Sequence, residues 1–297
     1  MKALVLSGGS VKGAFQAGAI KAVVENNFQP DYIYGISVGS LNTVFLVNNI
    51  IKNEDTLSAS NKLLDFWKTK ITKPKDIIDI RSNIKIIWNI IWGKFDGMVG
   101  TDPLKKLINS TVSVDNLNKS EIDFSVGATN YKTGEIVYSH KGDADILDFT
   151  LASTAMPIIM PAVILRNDPF FDGGLRNIVP LKIAIDKGAD EIIMILCQPD
   201  SKKSGSLINL DANYKNIINL VERVTDILTD EIEDDDIDVC NSINKAIELK
   251  MDTTHKMIKL TVIRPDKALE IDLQTFTSDD INRLINLGYD TAKTVLR

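Results

Sequence analysis

Residues 1–39, MKALVLSGGSVKGAFQAGAIKAVVENNFQPDYIYGISVG, hold two strand-to-helix turns in succession. Residues 3–6 are a continuous apolar run without alternation, the pattern of a strand covered on both faces. Ser7-Gly8-Gly9 ends that run, and a helix over about 11–25 follows, stopped by Asn26-Asn27. Residues 32–36 read as a second short strand, and Ser37 opens another helix reaching about Ile51. A strand–helix–strand–helix opening predicts parallel strands with helices packed over them.

Outward from this start, residues 55–110 read as helical, punctuated by Pro74, Gly93, Gly97 and Pro103. Strands over 122–129 and 135–139 form a hairpin around Lys132-Thr133-Gly134. A second pair, 161–165 and 170–171, flanks the turn Arg166-Asn167-Asp168-Pro169. A helix over 181–187 leads into an apolar strand over 191–197. Two long helices, about 212–232 and 237–251, a strand over 257–263 and a helix over about 279–296 complete the order. With no internal repeat and no dividing linker, this predicts an α/β fold. We expect a three-layer sandwich around a mostly parallel central sheet, one domain over 1–297. A helical insertion or lid occupies about 55–110, and a further helical segment about 212–251.

The 297 residues suffice to bury roughly three quarters of the unfolded surface, so no staples are needed. Apolar residues at 44% and charged residues at 25% exclude a disordered chain, a collagen and a disulfide scaffold. A net charge of −6 excludes a nucleic-acid partner held through phosphates. Membrane contact, if any, is expected through apolar groups. Two cysteines, Cys197 and Cys240, make neither a framework nor a zinc cluster and suit a reducing compartment. No apolar stretch approaches the roughly 20 residues of a spanning helix. The N-terminal apolar run falls short of the roughly 7–15 residues of a secretory core. The expected location is cytoplasmic, with peripheral contact at membranes.

Gly35-Ile36-Ser37-Val38-Gly39 fits G-x-S-x-G between a strand and a helix. Such a turn strains the serine backbone and exposes its hydroxyl, and the flanking glycines let helix and strand pack closely. Ser37 reads either as a nucleophile or as a plain helix N-cap. Gly8-Gly9-Ser10-Val11-Lys12-Gly13 is a second glycine turn. It misses the middle glycine of a dinucleotide fingerprint and the Gly-Lys-Ser/Thr of a P-loop. An oxyanion hole, a nucleotide site and a close-packed turn all stay open for it. Asp172-Gly173-Gly174 places a carboxylate at a strand end beside two small residues, although Asp-Gly-Gly is also a common turn.

In this order the three motifs resemble the patatin-like phospholipase family. That family has an N-terminal glycine-rich oxyanion turn, a G-x-S-x-G elbow soon after, and a distal Asp-Gly-Gly or Asp-Gly-Ala. Leu151-Ala152-Ser153-Thr154-Ala155-Met156-Pro157 and Asp102-Pro103-Leu104 are similar as well. The resemblance covers about the first 200 residues, and the last 100 match less specifically. Ser10 departs from the family, which usually has glycine there: the amide is kept and a Cβ is added. The resemblance implies a patatin-like fold and a serine lipid acyl hydrolase acting on phospholipids, lysophospholipids or related acyl esters. It implies a dyad in which Ser37 attacks and Asp172 accepts the proton. By the same resemblance Gly8, Gly9, Ser10 and Gly13 form the oxyanion hole, Gly35 and Gly39 are the elbow glycines, and Gly173 and Gly174 follow the base. No metal or cofactor is required.

The chain holds two histidines, His140 and His255. Ser37, Asp172 and His255 stand in the order of an α/β-hydrolase triad, so a triad esterase stays open, as does a catalytically silent lipid-binding module. His140 reads as a solvated turn residue. In residues 83–95, NIKIIWNIIWGKF, Ile84, Ile87, Trp88 and Ile91 share a face that Ile86, Ile90 and Trp92 widen. This is either a core helix or a lid whose Trp88 and Trp92 touch a membrane surface. The acidic run 231–238 lacks the glycine and spacing of a calcium loop and reads as a solvated junction between two helices. The expected partner is a phospholipid or other acyl-ester substrate; the oligomeric state stays open.

Overall fold

The computed structural model describes residues 1–51, 55–203, 205, 214–251 and 256–297. The chain runs β1 (Lys2–Leu6), α1 (Gly13–Glu25), β2 (Tyr32–Ile36), α2 (Val38–Asn48) and α3 (Thr56–Lys70). An excursion follows through β3 (Asp79–Ile80), α4 (Asn83–Ile91), β4 (Val99–Gly100), α5 (Asp102–Thr111) and α6 (Val114–Lys119). Next come β5 (Asp123–Asn130), β6 (Ile136–His140), α7 (Ile146–Ser153), β7 (Val163–Leu165) and β8 (Asp168–Asp172). The last elements are α8 (Leu181–Asp186), β9 (Glu191–Ile195), α9 (Ile217–Glu248), β10 (Lys259–Ile263) and α10 (Ser278–Val295).

The main sheet has the order β10-β9-β1-β2-β5-β8-β7, with β6 also paired to β5. Its first five strands are mutually parallel, while β6 and β8 run antiparallel to β5. The unbroken apolarity of β1 follows from burial on both faces. Leu4 and Leu6 join one core with Phe15, Leu46 and Leu284, and Ala3 and Val5 join a second with Val179 and Leu181. Helices therefore cover both faces of a mostly parallel sheet, the α/β architecture expected.

Register brings distant residues together. One flank of β5 carries β6 along residues 125–129. The other flank carries β2 up to the pair Ile36–Gly127, and β8 takes over at the next step with the pair Asp172–Ala128. The residue after Ile36 thus meets Asp172 end to end, although 135 positions separate them in sequence.

Three expectations need correction. The acidic run does not divide two helices: α9 is one helix of 32 residues passing straight through it. No glycine or proline interrupts the run, and two of its acids point inward instead of into solvent. Glu233 and Asp234 are buried against Arg264, whose guanidinium lies 2.6 Å from Asp234 and 3.7 Å from Glu233. Residues 55–110 are not wholly helical, because β3 and β4 form a short antiparallel ladder closing the base of the α4 excursion. His140 is not a turn residue: it ends β6, with Nδ1 2.6 Å from Ser125 Oγ, and burial lowers its pKa. His255 lies outside the described residues.

The core reading of α4 also fails. Ile86 is its one buried residue, while Ile84, Trp88, Ile91 and Trp92 are each more than half exposed. Arg81 braces the excursion by pairing with Asp96 and donating to the Gly97 carbonyl at 2.9 Å. Among the described residues, no helix is long and apolar enough to cross a membrane.

Candidate active site

Ser37 sits between β2 and α2 with φ 54° and ψ −126°, a left-handed conformation that a residue with a Cβ adopts at a cost. The turn is tight because α2 starts against β1: a Cβ on Gly39 would lie 2.4 Å from the Leu6 carbonyl oxygen. The Ser37 amide donates to Ser153 Oγ at 2.8 Å, and Ser153 donates to the Gly127 carbonyl at 2.5 Å. Ser37 occupies the N-cap position of α2, yet its side chain makes no capping bond. Its hydroxyl instead donates to Asp172 Oδ2 at 2.6 Å. The plain N-cap reading does not describe this residue.

Asp172 is buried at the end of β8. Its second oxygen, Oδ1, accepts the Gly174 N–H at 2.7 Å. Burial pushes its pKa up to about 6; the bonds from Ser37 and Gly174 pull the other way. The result is a carboxylate poised near neutrality and in direct contact with a hydroxyl, the state a proton acceptor needs.

The glycine turn after β1 lies against this pair. The Cβ position of Gly8 is 3.1 Å from Ser37 Cβ. Within the turn the amides divide into two sets. Gly8 N–H donates to the Ile178 carbonyl at 3.2 Å, and Gly13 N–H closes back on the carbonyls of Ser10 and Val11. Those two glycines shape the turn. The N–H groups of Gly9 and Ser10 donate to no partner among the described residues. Ser10 is itself left-handed, with φ 53°. Lys12 does not reach outward for a phosphate: it is buried, with Nζ 2.7 Å from Asp226 Oδ2. Burial lowers its pKa, but Asp226 above all, together with Cys197 and Glu222, makes the net shift upward.

Buried polar side chains fix the turn from behind. Gln16 donates to the Ser7 carbonyl at 2.8 Å, and Asn42 donates to the Gly13 carbonyl and to Gln16, both at 3.0 Å. Trp67 Nε1 holds Asn42 in place at 2.8 Å. Sequence reading noted Ser153 only as part of the family-like segment 151–157, with no role, and passed over Gln16 and Asn42, although a glutamine and an asparagine inside otherwise apolar helices are a signal of internal hydrogen bonding. Ser37, Asp172 and the turn open onto a cavity of about 730 Å³. Gly8, Gly9, Ser10, Met156, Pro157 and Leu175 are among the residues that line it. Residues of α9 line it as well, Asn219, Glu222 and Asp226 among them.

Residues 4–185 match the family described as patatin-like phospholipase, more than half of the chain. This chain belongs to the patatin-like phospholipase family. All three motifs of the patatin-like site fall inside the matched span, and α9 falls outside it. Solved structures to which this chain is similar include VipD from Legionella pneumophila, 14% identical with a TM-score of 0.44, covering 99% of this chain and 66% of that one. The type III effector ExoU is 11% identical with a TM-score of 0.41, covering 99% of this chain and 52% of that one. ExoU in its heterodimeric complex with SpcU, from Pseudomonas aeruginosa, is 14% identical with a TM-score of 0.39, covering 100% of this chain and 51% of that one. The chain thus spans about half to two thirds of the length of these proteins. No curated protein sequence matches it.

Proposed function

We propose that this protein is a serine lipid acyl hydrolase that cleaves fatty-acyl esters of phospholipids or lysophospholipids through a Ser37–Asp172 dyad. The observation that carries the reading is the 2.6 Å bond from Ser37 Oγ to Asp172 Oδ2 beside a turn whose Gly9 and Ser10 amides donate to no partner among the described residues. Ser37 Oγ attacks the ester carbonyl carbon, and its proton passes to Asp172. The carbonyl oxygen becomes an oxyanion facing the Gly9 and Ser10 amides. When the intermediate collapses, the ester C–O bond breaks and Asp172 returns the proton to the departing alcohol. Water then attacks the acyl-Ser37 ester and Asp172 accepts its proton; as the acyl–Oγ bond breaks, Asp172 returns that proton to Ser37 Oγ, so both residues are regenerated as the fatty acid leaves.

Access for the acyl chain is supported by the mouth of the cavity. Leu175 lines it and is half exposed. The strand after α4 leads there too, since Met98 N–H donates to the Ile158 carbonyl and Val99 N–H to that of Ile159. These are the residues just after cavity-lining Met156 and Pro157. We place the exposed Trp88 and Trp92 at the lipid surface, where their flat, parallel rings suit an interfacial depth.

The test is labelling with a fluorophosphonate probe alongside a panel of phospholipids and lysophospholipids, with products identified by mass spectrometry. Wild type should take the probe and release free fatty acid. Ser37→Ala should do neither while keeping its far-ultraviolet circular dichroism. A Ser37→Ala protein that is still labelled and still hydrolytic would reject the dyad.

A further inference from the structure

Two carboxylates one helical turn apart on α9 reach back to the oxyanion turn. Ser10 Oγ donates to Glu222 Oε1 at 3.1 Å. Lys12 Nζ pairs with Asp226 Oδ2 at 2.7 Å, and the other oxygen of Asp226 accepts from Gln198 Nε2 at 2.5 Å, just past β9. Glu222 and Asp226 stand four apart and so project from the same side of the helix. They seize alternate residues of the turn, with the open Ser10 amide beside the first tether.

Ser10 is held at φ 53°, in the region where glycine is free and a residue with a Cβ pays. The serine hydroxyl supplies what glycine lacks, a handle by which another element can impose that conformation. We propose that Glu222, supported by Asp226, is a positioning residue for acyl transfer: from α9 it holds Ser10 left-handed and so aims the Gly9 and Ser10 amides at the reacting carbonyl. This rests on the acyl-hydrolase reading above. It assigns α9, which lies outside the family match, a part in the chemistry without contact to the reacting atoms.

The surroundings of Glu222 agree with a half-buried tether. Burial pushes its pKa up to about 7, opposed by Lys12 and by the Ser10 hydrogen bond and reinforced by Asp226 and by Asp272 from the segment before α10. Glu222 is therefore most ionised, and the strongest acceptor for Ser10, above neutrality.

The experiment is a mutant cycle on a short, soluble ester at pH 8, with kcat and KM measured separately. Ser10→Ala keeps the Cβ and removes the handle; Glu222→Ala removes the acceptor. Each should lower kcat about tenfold with KM within about twofold, less than the roughly 10²–10³-fold cost of losing an oxyanion donor outright. The double variant should be no worse than either single one, because both break one bond. Glu222→Gln, which keeps an acceptor oxygen, should recover part of the loss. The decisive arm uses Ser10→Gly as its own reference. Glycine reaches the left-handed conformation unaided, so adding Glu222→Ala to Ser10→Gly should change kcat less than about twofold. A kcat unchanged in Glu222→Ala, or a Glu222→Ala loss that persists at full size in the glycine background, would overturn the positioning role. Fluorophosphonate labelling of wild type separates the two readings. An unlabelled, inactive wild type rejects the hydrolase reading and the positioning role with it. A labelled wild type with additive losses rejects the tether alone.

Discussion

Helices α2 and α4 look alike as sequences and sit oppositely in the molecule. SLNTVFLVN and NIKIIWNII are both apolar nearly all round, yet every residue of α2 is buried and Ile86 alone is buried in α4. The difference lies in how each is entered. α2 starts at Ser37, with Gly39 pressed on β1, so the sheet carries it straight into the core. Its polar side chains are satisfied there, Ser40 by the Gly35 carbonyl and Thr43 by that of Gly39. α4 is entered and left through the β3–β4 ladder and the Arg81–Asp96 pair, which close an excursion away from the body. A largely apolar helix left outside the core exposes a surface of the kind that contacts other molecules. Under the function proposed here, α2 positions the nucleophile and α4 is placed at the lipid, and each substitution below should affect one side of that division.

The largest effect belongs to the proposed base, Asp172 at the end of β8, which meets Ser37 at the head of α2. Asp172→Asn should lower kcat/KM by about 10²–10⁴-fold on soluble and aggregated esters alike. Its folded-state pKa, raised from 3.8 to about 6, fixes the sign of the pH dependence. Below pH 6 the carboxyl is protonated and cannot accept from Ser37, so kcat/KM should fall tenfold per unit on the acid side. Stability runs the other way. A raised carboxyl pKa means the folded state binds the extra proton, so this group's contribution is greatest below 3.8 and is lost as pH rises through 6. Asp172→Asn should therefore keep or raise the melting temperature at pH 8 while losing activity. Calorimetry beside a pH–rate profile checks both, and an acid limb unchanged in Asp172→Asn would remove the aspartate from the rate-limiting proton transfer.

A smaller effect separates the bodies of the two helices. Leu46 on α2 is fully buried in the larger core. Leu46→Ala should cost about 2–5 kcal/mol and lower the melting temperature by several degrees. Ile87→Ala on α4, at a site more than half exposed, should stay within about 0.5 kcal/mol. Equal losses by thermal denaturation would mean that α4 packs against something in solution.

This contrast also marks where the sequence could be read and where it could not. The apolar run of β1, the elbow around Ser37 and the Asp-Gly-Gly after β8 were legible because local backbone geometry demands those residues at those spacings. That Ser37 and Asp172 touch depends on β2 and β8 succeeding each other along β5, a matter of register between segments remote in sequence. The continuity of α9 was hidden because acidic residues favour helix starts and helix interiors almost equally when their partners are unknown. Arg264, which accounts for the buried Asp234, lies 30 positions away. Glu222 carries no local signal, since a glutamate in an amphipathic helix is ordinary until Ser10 is found beneath it. Whether α4 was core or surface could not be read from composition, because apolarity states a preference for leaving water and not what the helix leaves it for.

The smallest effect on the isolated molecule tests the exposed helix directly. Trp88 and Trp92 stand one turn apart with rings parallel at a 6.3 Å centroid separation, and both are more than half exposed. They form no part of the core, so Trp88→Ser with Trp92→Ser should leave the melting temperature within about a degree or two. Ser37, Asp172 and the glycine turn are untouched, so kcat/KM on a short soluble ester should be unchanged. On phospholipid vesicles the rate should fall about tenfold or more, since each tryptophan removed from an interface forfeits a large apolar contact. Vesicle co-sedimentation should fall in parallel and should depend little on salt, because a chain with a net charge of −6 would adhere through apolar groups. Equal losses on soluble ester and vesicles, with a large fall in melting temperature, would return α4 to the core. Vesicle activity untouched at every lipid concentration would leave the tryptophans facing a protein partner in place of a bilayer.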